Sequence, residues 1–221
     1  MINELKKEFL RYSNPEVAKQ QSAYLKDQFS FYGLKSPERR SIQKSFLIKK
    51  NLPGKSEAFE IIAELWEMPE RELHYFAMEL LLKYHKEYSK EDIGFFEKLI
   101  ISNSWWDSID VIAPKILGSF FLKFPELRES AVDRWIKSGN IWLQRSAVLF
   151  QLKYKEKMDK ELLTSIIDRL KNEKEFFIRK AIGWVLREAS KRDPDWVLEF
   201  VDSYDLQPLS KKEALKIIKT S

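Results

Sequence analysis

Hydrophobic positions along the chain recur at intervals of three and four residues, and polar or charged residues fill the positions between them. This spacing places apolar side chains on one face of a helix, whereas a half-buried strand alternates every second residue. The Val, Ile and Phe residues follow the helical spacing. The pattern predicts an all-α chain with roughly a dozen helices of about 10 to 20 residues and no strand.

A longer period of 35 residues relates similar helical segments to one another. A repeat of this length is typical of a solenoid, in which stacked helix pairs align equivalent positions along one surface. The alternative is coincidence in a chain rich in helix formers. We predict one domain, residues 1–221, built as a solenoid of stacked helix pairs. The positions at one phase of the repeat are Tyr75, Asp110, Arg145 and Lys180, with Arg40 one period earlier in a fainter copy.

Composition is compatible with such a domain. Of 221 residues, 44% are hydrophobic and 33% are charged, which suffices for one continuous core. No apolar run is long enough to span a membrane, and the first twelve residues, MINELKKEFLRY, lack the apolar region of a signal peptide. The chain has no cysteine, so disulfide and thiolate chemistry are excluded. We expect a cytoplasmic protein.

The residue types and motifs of the chain exclude most metal and cofactor sites. The two histidines, His74 and His85, are 11 residues apart without a cysteine partner, which is a poor basis for a zinc site. No GxGxxG, P-loop or GxSxG motif occurs. We therefore expect neither a metal nor a cofactor.

Charge and aromatic residues cluster around the repeated row. The chain carries 39 basic and 34 acidic residues, a net charge of +5, and seven tryptophans. Helical spacing extends the row by one or two turns at several points. If this face lines the concave side of the solenoid, it forms a basic groove with aromatics and one carboxylate, which is typical of a nucleic-acid site with a reactive position. The predicted groove residues are Trp106, Asp110, Arg145, Lys153, Lys180, Trp184 and Arg187.

Structural roles are the alternatives for these residues. Trp106 and Trp184 could belong to the core, Arg145 and Lys153 to a solvated face, and Asp110 to a structural ion pair with Arg145. The other tryptophans expected in the core are Trp66, Trp135, Trp142 and Trp196.

Three strings carry a family resemblance. They are SWWDSID from Ser104, NIWLQR from Asn140 and KAIGWVLRE from Lys180. They resemble the DNA alkylation repair enzymes of AlkD type, which are HEAT-like repeat DNA glycosylases of bacteria. The similarity also includes Tyr24 near the N-terminus and PLSK from Pro208, so it spans nearly the whole chain.

The resemblance implies a HEAT-like superhelix that acts in base excision repair. Its substrate would be duplex DNA containing 3-methyladenine or 7-methylguanine, hydrolysed at the N-glycosidic bond without a pocket for a flipped base. We expect a monomer in the bacterial cytoplasm, associated with the nucleoid when it binds DNA, without a membrane or metal partner.

The resemblance also implies individual roles. Asp110 would be the catalytic carboxylate, and Trp106 and Trp184 would form aromatic walls beside the deoxyribose of the lesion. Arg145 would contact the DNA backbone close by. The full set of DNA contacts expected from the resemblance and the repeat row is Tyr24, Arg40, Arg145, Lys153, Lys180 and Arg187.

One carboxylate is chemically sufficient for this reaction. An N3- or N7-alkylated purine is cationic and leaves as a neutral base, so it requires no general acid. Positive charge then develops on the sugar, where an anion stabilises it.

Two other functions remain open. A catalytically silent DNA-binding solenoid would keep the basic groove without base release, and a protein-binding helical scaffold would not require basic residues in register.

Overall fold

The computed structural model of the protein describes residues 1–218. These residues form helices joined by short turns, and their only bridge of strand type is an isolated pair, Ser30 with Glu70. The predicted all-α class is therefore confirmed. The chain divides into two compact units, an N-terminal unit, Met1–Tyr88, and a C-terminal unit, Ser89–Ser221. None of the helices in the described residues is both long and apolar enough for a membrane crossing.

The N-terminal unit contains five α-helices and two 3-10 turns between α3 and α4. Asn14 caps α2, because its side-chain oxygen accepts a hydrogen bond from the Val17 amide at 3.1 Å, and Pro15 occupies the first helical position. The helices are α1 (Ile2–Arg11), α2 (Pro15–Tyr24), α3 (Ser36–Gln43), α4 (Lys55–Trp66) and α5 (Arg71–Lys83).

A buried carboxylate fastens the loop between α2 and α3 to α5. Glu72 is fully buried and accepts hydrogen bonds from the backbone amides of Tyr32, Gly33 and Leu34 at 3.1, 2.9 and 3.1 Å. Gly33 has φ +85°, and a Cβ there would lie 2.0 Å from the carbonyl oxygen of Asn14. Only glycine fits this turn, since it combines a left-handed backbone with close backbone packing. Burial raises the pKa of Glu72, and the three amide bonds oppose the rise.

The C-terminal unit contains the remaining helices. Several are shorter than the predicted ten residues, because 3-10 and π segments interrupt the helical stretches. The helices are α6 (Ile93–Ile101), α7 (Trp106–Val111), α8 (Gly118–Lys123), α9 (Arg128–Lys137), α10 (Ile141–Leu149), α11 (Lys160–Leu170), α12 (Phe176–Ser190), α13 (Pro194–Ser203) and α14 (Pro208–Ala214).

The sequence period has a counterpart in the packing of two tyrosines. Tyr84 and Tyr154, which are 70 residues apart in the repeated string Leu-Lys-Tyr, are both buried. Each hydroxyl donates to a backbone carbonyl, that of Tyr84 to Pro53 at 2.5 Å and that of Tyr154 to Gly118 at 2.8 Å. The two copies of the string thus satisfy a buried hydroxyl in the same way.

Pro114 interrupts the helical stretch that follows Trp105. Proline inside a helix bends or breaks it, because proline lacks an amide hydrogen and its ring clashes with the preceding turn. The structure has a π-helical segment, Ile112–Leu117, between α7 and α8. A π segment is rare and occurs mostly as a single turn inserted within an α-helix, as it does here. Asp110 consequently lies in the last regular turn before the break.

Of the four tryptophans expected in the core, three are buried. Trp66, Trp135 and Trp142 are 1%, 1% and 8% exposed. Trp196 is only partly buried and was wrongly expected in the core. Its ring packs against Phe200 on α13, and the Lys160 ammonium lies 5.1 Å from the ring centroid.

The buried clamp on the α2–α3 loop gives a stability prediction. Replacing Glu72 by Gln exchanges one acceptor oxygen for an NH₂ group, which cannot accept from the buried amides. The free energy of unfolding should fall by about 1–3 kcal/mol, measured by urea denaturation. Glu60→Gln on the exposed side of α4 is the control and should change it by less than about 0.5 kcal/mol. Equal stability of the two variants would show that the Glu72 bonds contribute nothing.

Candidate active site

Helices α7, α10 and α12 pack side by side, and they bring most of the predicted groove residues around one cavity of about 260 Å³. We call it the Asp110 cavity. The residues of the predicted set that line it are Trp106, Asp110, Arg145, Lys180, Trp184 and Arg187.

A bidentate ion pair joins Asp110 of α7 to Arg145 of α10. The Nε of Arg145 donates to Oδ1 of Asp110 at 2.9 Å, and Nη2 donates to Oδ2 at 3.0 Å. The third nitrogen, Nη1, donates to the backbone carbonyl of Phe177 in α12 at 2.5 Å. The side chain of Arg145 is only 5% exposed, whereas that of Asp110 is 20% exposed. The ion pair that the sequence left open is present, and it leaves the carboxylate accessible from the cavity.

Two opposing effects act on the pKa of Asp110. Removal from water raises it, because burial penalises the charged form. The Arg145 guanidinium opposes the rise through charge and hydrogen bonding, and the nearby Asp107 carboxylate adds to it. The net result is a pKa above the ordinary value of an aspartate.

An aromatic cluster fixes the starts of the three helices. The rings of Trp105, Trp142 and Phe177 lie 5.7, 5.5 and 5.0 Å apart in pairs, at tilted or edge geometry. Asn140 caps α10, since its side-chain oxygen accepts from the amides of Trp142 and Leu143. These contacts set the position of the helix turn that carries Arg145.

Aromatic faces line the cavity together with the charged groups. Trp106 and Trp184 both line the cavity and are partly exposed, so neither is a fully buried core residue. Phe176 and Phe177 also line the cavity and were missed, and Phe176 is 52% exposed. The signal for Phe177 was in the sequence, because it stands 35 residues after Trp142.

A second carboxylate that sequence reasoning missed also lines the Asp110 cavity. Glu213 of α14 pairs with two cations of α12, through Oε1 with the Nζ of Lys180 at 2.9 Å and through Oε2 with the Nη1 of Arg187 at 2.7 Å. The Lys180 hydrogen bond lowers the pKa of Glu213, burial opposes this, and the charge of Arg187 adds to the lowering. No pattern pointed to Glu213, because α14 lies after the repeated row.

Lys153 does not line the Asp110 cavity. It lines a neighbouring cavity of about 440 Å³, and Trp184 borders both cavities. The Lys153 cavity has an apolar side, which includes Leu152 and Met158, and a basic rim, which includes Lys191.

Tyr24 and Arg40 lie in the N-terminal unit. Tyr24 is the last residue of α2 and is 70% exposed. Arg40 is exposed on α3, with its Nε 3.6 Å from a carboxylate oxygen of Glu79. Their roles in DNA binding remain predictions.

No group of three or more His, Asp or Glu residues in the described part of the chain could hold a metal ion. The buried His74 has a structural environment, in which its Nδ1 lies 2.9 Å from Nη1 of Arg71 and its Nε2 lies 2.8 Å from the carbonyl of Met68.

Comparisons with known proteins place the chain in a family. A solved structure described as a predicted DNA alkylation repair enzyme from Enterococcus faecalis matches with a TM-score of 0.87 and 34% sequence identity, over 95% of this chain and 98% of that chain. No curated protein matches the sequence significantly. The sequence model of the family described as DNA alkylation repair enzyme matches residues 5–218. The chain therefore belongs to the DNA alkylation repair enzyme family.

Proposed function

We propose that the protein is a DNA glycosylase that hydrolyses the N-glycosidic bond of cationic N3- or N7-alkylated purines in duplex DNA. The observation that carries the proposal is the accessible carboxylate of Asp110 in a cavity with aromatic walls and basic neighbours. A cavity with these three features can hold an anionic backbone and stabilise a cationic sugar at the same time.

The reaction balances without a metal, a cofactor or a general acid. The bond between C1′ and the purine nitrogen breaks, and its electron pair neutralises the cationic base. A water molecule forms the new bond to C1′ and loses one proton, which Asp110 accepts or passes to solvent. The products are a free neutral base and an abasic site. The sugar carries its largest positive charge in the transition state, where the Asp110 anion stabilises it most.

Arg145 acts on this reaction through Asp110. We assign it to positioning and not to the DNA backbone contact expected from the resemblance, because its donors Nε, Nη1 and Nη2 bond to Asp110 and to the Phe177 carbonyl. A carboxylate oxygen has two lone pairs, and Arg145 uses one on each oxygen. Asp110 thus keeps acceptor capacity for a water molecule while its orientation is fixed.

The aromatic walls supply a second stabilising effect. Trp106 and Trp184 flank the cavity of Asp110, where a cationic sugar would lie near their ring faces. Such a contact contributes about 0.5–2 kcal/mol per ring, depending on desolvation. The cavity measures about 260 Å³. In the proposed reaction the sugar lies at this cavity, and the base stays outside it, without a pocket for a flipped base.

A HEAT-like superhelix with a concave basic groove is part of the proposal. Its support lies within the C-terminal unit, where residues 35 apart in the sequence, Asp110 and Arg145, meet between adjacent helices. Lys180 lies one further period along and lines the same cavity.

The alternative is a catalytically silent DNA-binding protein. The bidentate Asp110–Arg145 pair favours it, since both charges already have a partner and the pair joins helices. Base release separates the two proposals.

The first prediction concerns the carboxylate. Asp110→Asn keeps the shape of the side chain and removes the anion, so single-turnover release of 7-methylguanine from duplex DNA should fall about a hundredfold or more. Duplex affinity should change little. Asp202→Asn, at a side chain that is 80% exposed, is the control and should keep the native rate. Equal rates in the native protein and Asp110→Asn would remove Asp110 from the mechanism, and salt-sensitive binding without any release would favour the silent protein.

The second prediction concerns pH. The excision rate should rise with pH as Asp110 loses its proton. Because the pKa of Asp110 lies above the ordinary aspartate value, this acid limb of the pH profile should lie above the ordinary aspartate pKa. Arg145→Gln removes the cation that favours the carboxylate form, which raises the pKa of Asp110 further and shifts the limb to higher pH. The measurement is the single-turnover rate against pH, with folding checked by circular dichroism.

The same variant tests the assignment of Arg145. The salt dependence of duplex binding should be unchanged in Arg145→Gln, since the buried guanidinium contacts no phosphate in the proposal. A decrease of about one unit in the slope of log affinity against log salt concentration would show that Arg145 contacts the DNA backbone.

The third prediction concerns selectivity. The cavity supplies an anion and no leaving-group acid, so it assists only bases that already carry a positive charge. Duplexes with 7-methylguanine or 3-methyladenine should release base, whereas a duplex with neutral hypoxanthine should stay at the uncatalysed rate. Comparable release of hypoxanthine would require a proton donor that the proposal does not contain.

A further inference from the structure

Helix α14 places Glu213 beside both cations that α12 contributes to the Asp110 cavity. Lys180 and Arg187 are seven residues apart, which is about 10 Å along a helix. Glu213 bridges them with one carboxylate oxygen for each. Its side chain is 14% exposed, while those of Lys180 and Arg187 are 37% and 23% exposed. The cations thus face the cavity with Glu213 between them.

The close approach of α14 depends on Gly183. This glycine stands between the two cations on α12, at the turn that also carries Trp184. A Cβ at Gly183 would lie 2.5 Å from the Cβ of Glu213 and 2.9 Å from the carbonyl oxygen of Ser210. The hydroxyl of Ser210 in turn donates to the carbonyl of Arg179 at 3.0 Å. Close packing of α14 against α12 therefore holds Glu213 in place.

We propose that Glu213 is a positioning residue for DNA, which holds Lys180 and Arg187 so that their remaining N–H groups take a phosphate of the damaged strand beside Asp110. This inference rests on the proposed function. An ammonium has three donors and a guanidinium has five, so one bond from each to Glu213 leaves donors for a phosphate. A bridge that fixes both side chains sets where that phosphate lies relative to Asp110, and this geometry governs the chemical step.

Glu213 also sets the net charge of the Asp110 cavity. Asp110 and Arg145 neutralise each other, and Glu213 reduces the two cations of α12 to a net charge of +1 at the cavity. Two uncompensated cations would attract DNA more strongly, but they would also repel the positive sugar of the transition state. Glu213 therefore favours the chemical step at some cost in attraction for DNA.

The test uses Glu213→Gln, which keeps the size of the side chain and removes its charge. Three quantities are measured on the full-length protein: the affinity for a duplex with 7-methylguanine, the salt slope of that affinity, and the single-turnover rate of base release. We expect tighter binding at low salt, a slope steeper by up to about one unit, and a rate lower by about tenfold or more. Glu129→Gln, at an exposed position on α9, makes the same change in net charge and should move none of the three.

The opposite changes in affinity and rate separate positioning from a structural role. A Glu213→Gln variant that is merely destabilised would lose affinity and rate together with its melting temperature, and that outcome overturns the proposal. Unchanged slope and rate would overturn it as well. If the native protein releases no base, the glycosylase proposal fails, whereas an active native protein with an equally active Glu213→Gln contradicts only the role of Glu213.

Gly183→Ala supplies a second variant that leaves every charge in place. The added methyl group pushes against α14 and moves Glu213 away from its two partners. The rate should fall as in Glu213→Gln, with the same steeper salt slope. A native rate and slope in a folded Gly183→Ala protein would show that the close approach of α14 has no part in DNA positioning.

Discussion

The arrangement of the C-terminal unit around its cavity depends on the pairing of one buried guanidinium. Arg145 of α10 bonds to Asp110 of α7 and to the backbone of α12 at Phe177, so three helices meet at a single side chain. A charge this deeply buried is tolerated only when partners replace its lost hydration. The requirement to satisfy Arg145 thus fixes the separation of the helices and, with it, the orientation of the accessible carboxylate.

The same contact explains how one carboxylate can be both structural and reactive. Asp110 lies at the end of α7, directly before the π-helical segment that contains Pro114. Arg145 contacts it from the protein side, and the cavity leaves part of it open to a substrate. Burial and ion pairing act on its pKa in opposite directions, and burial has the larger effect. The two bonds from Arg145 also prevent the carboxylate from rotating, so its orientation towards the cavity is fixed.

Much of this could be predicted from the sequence, because a repeat of fixed length carries three-dimensional information. The all-α class followed from the spacing of apolar residues, and the period of 35 placed Asp110 and Arg145 at adjacent, equivalent positions that do meet. Glu213 could not be predicted, since it lies outside the repeated row and reaches the cavity only because Gly183 lets α14 approach. Trp196 was misjudged because a helical pattern gives the direction of a side chain and not the depth of the layer above it. The π-helical form of the break at Pro114 depends on backbone packing, which a sequence pattern does not reveal.

The contact between Gly183 and Glu213 also constrains how the chain can vary. A side chain at position 183 would press against the Cβ at position 213 and the Ser210 carbonyl, and a glutamate at position 213 without Lys180 and Arg187 would be an unpaired, largely buried charge. Single substitutions at any of these four positions are therefore disfavoured unless another changes with it. Relatives of this protein should carry the four residues as one inherited set or replace them together.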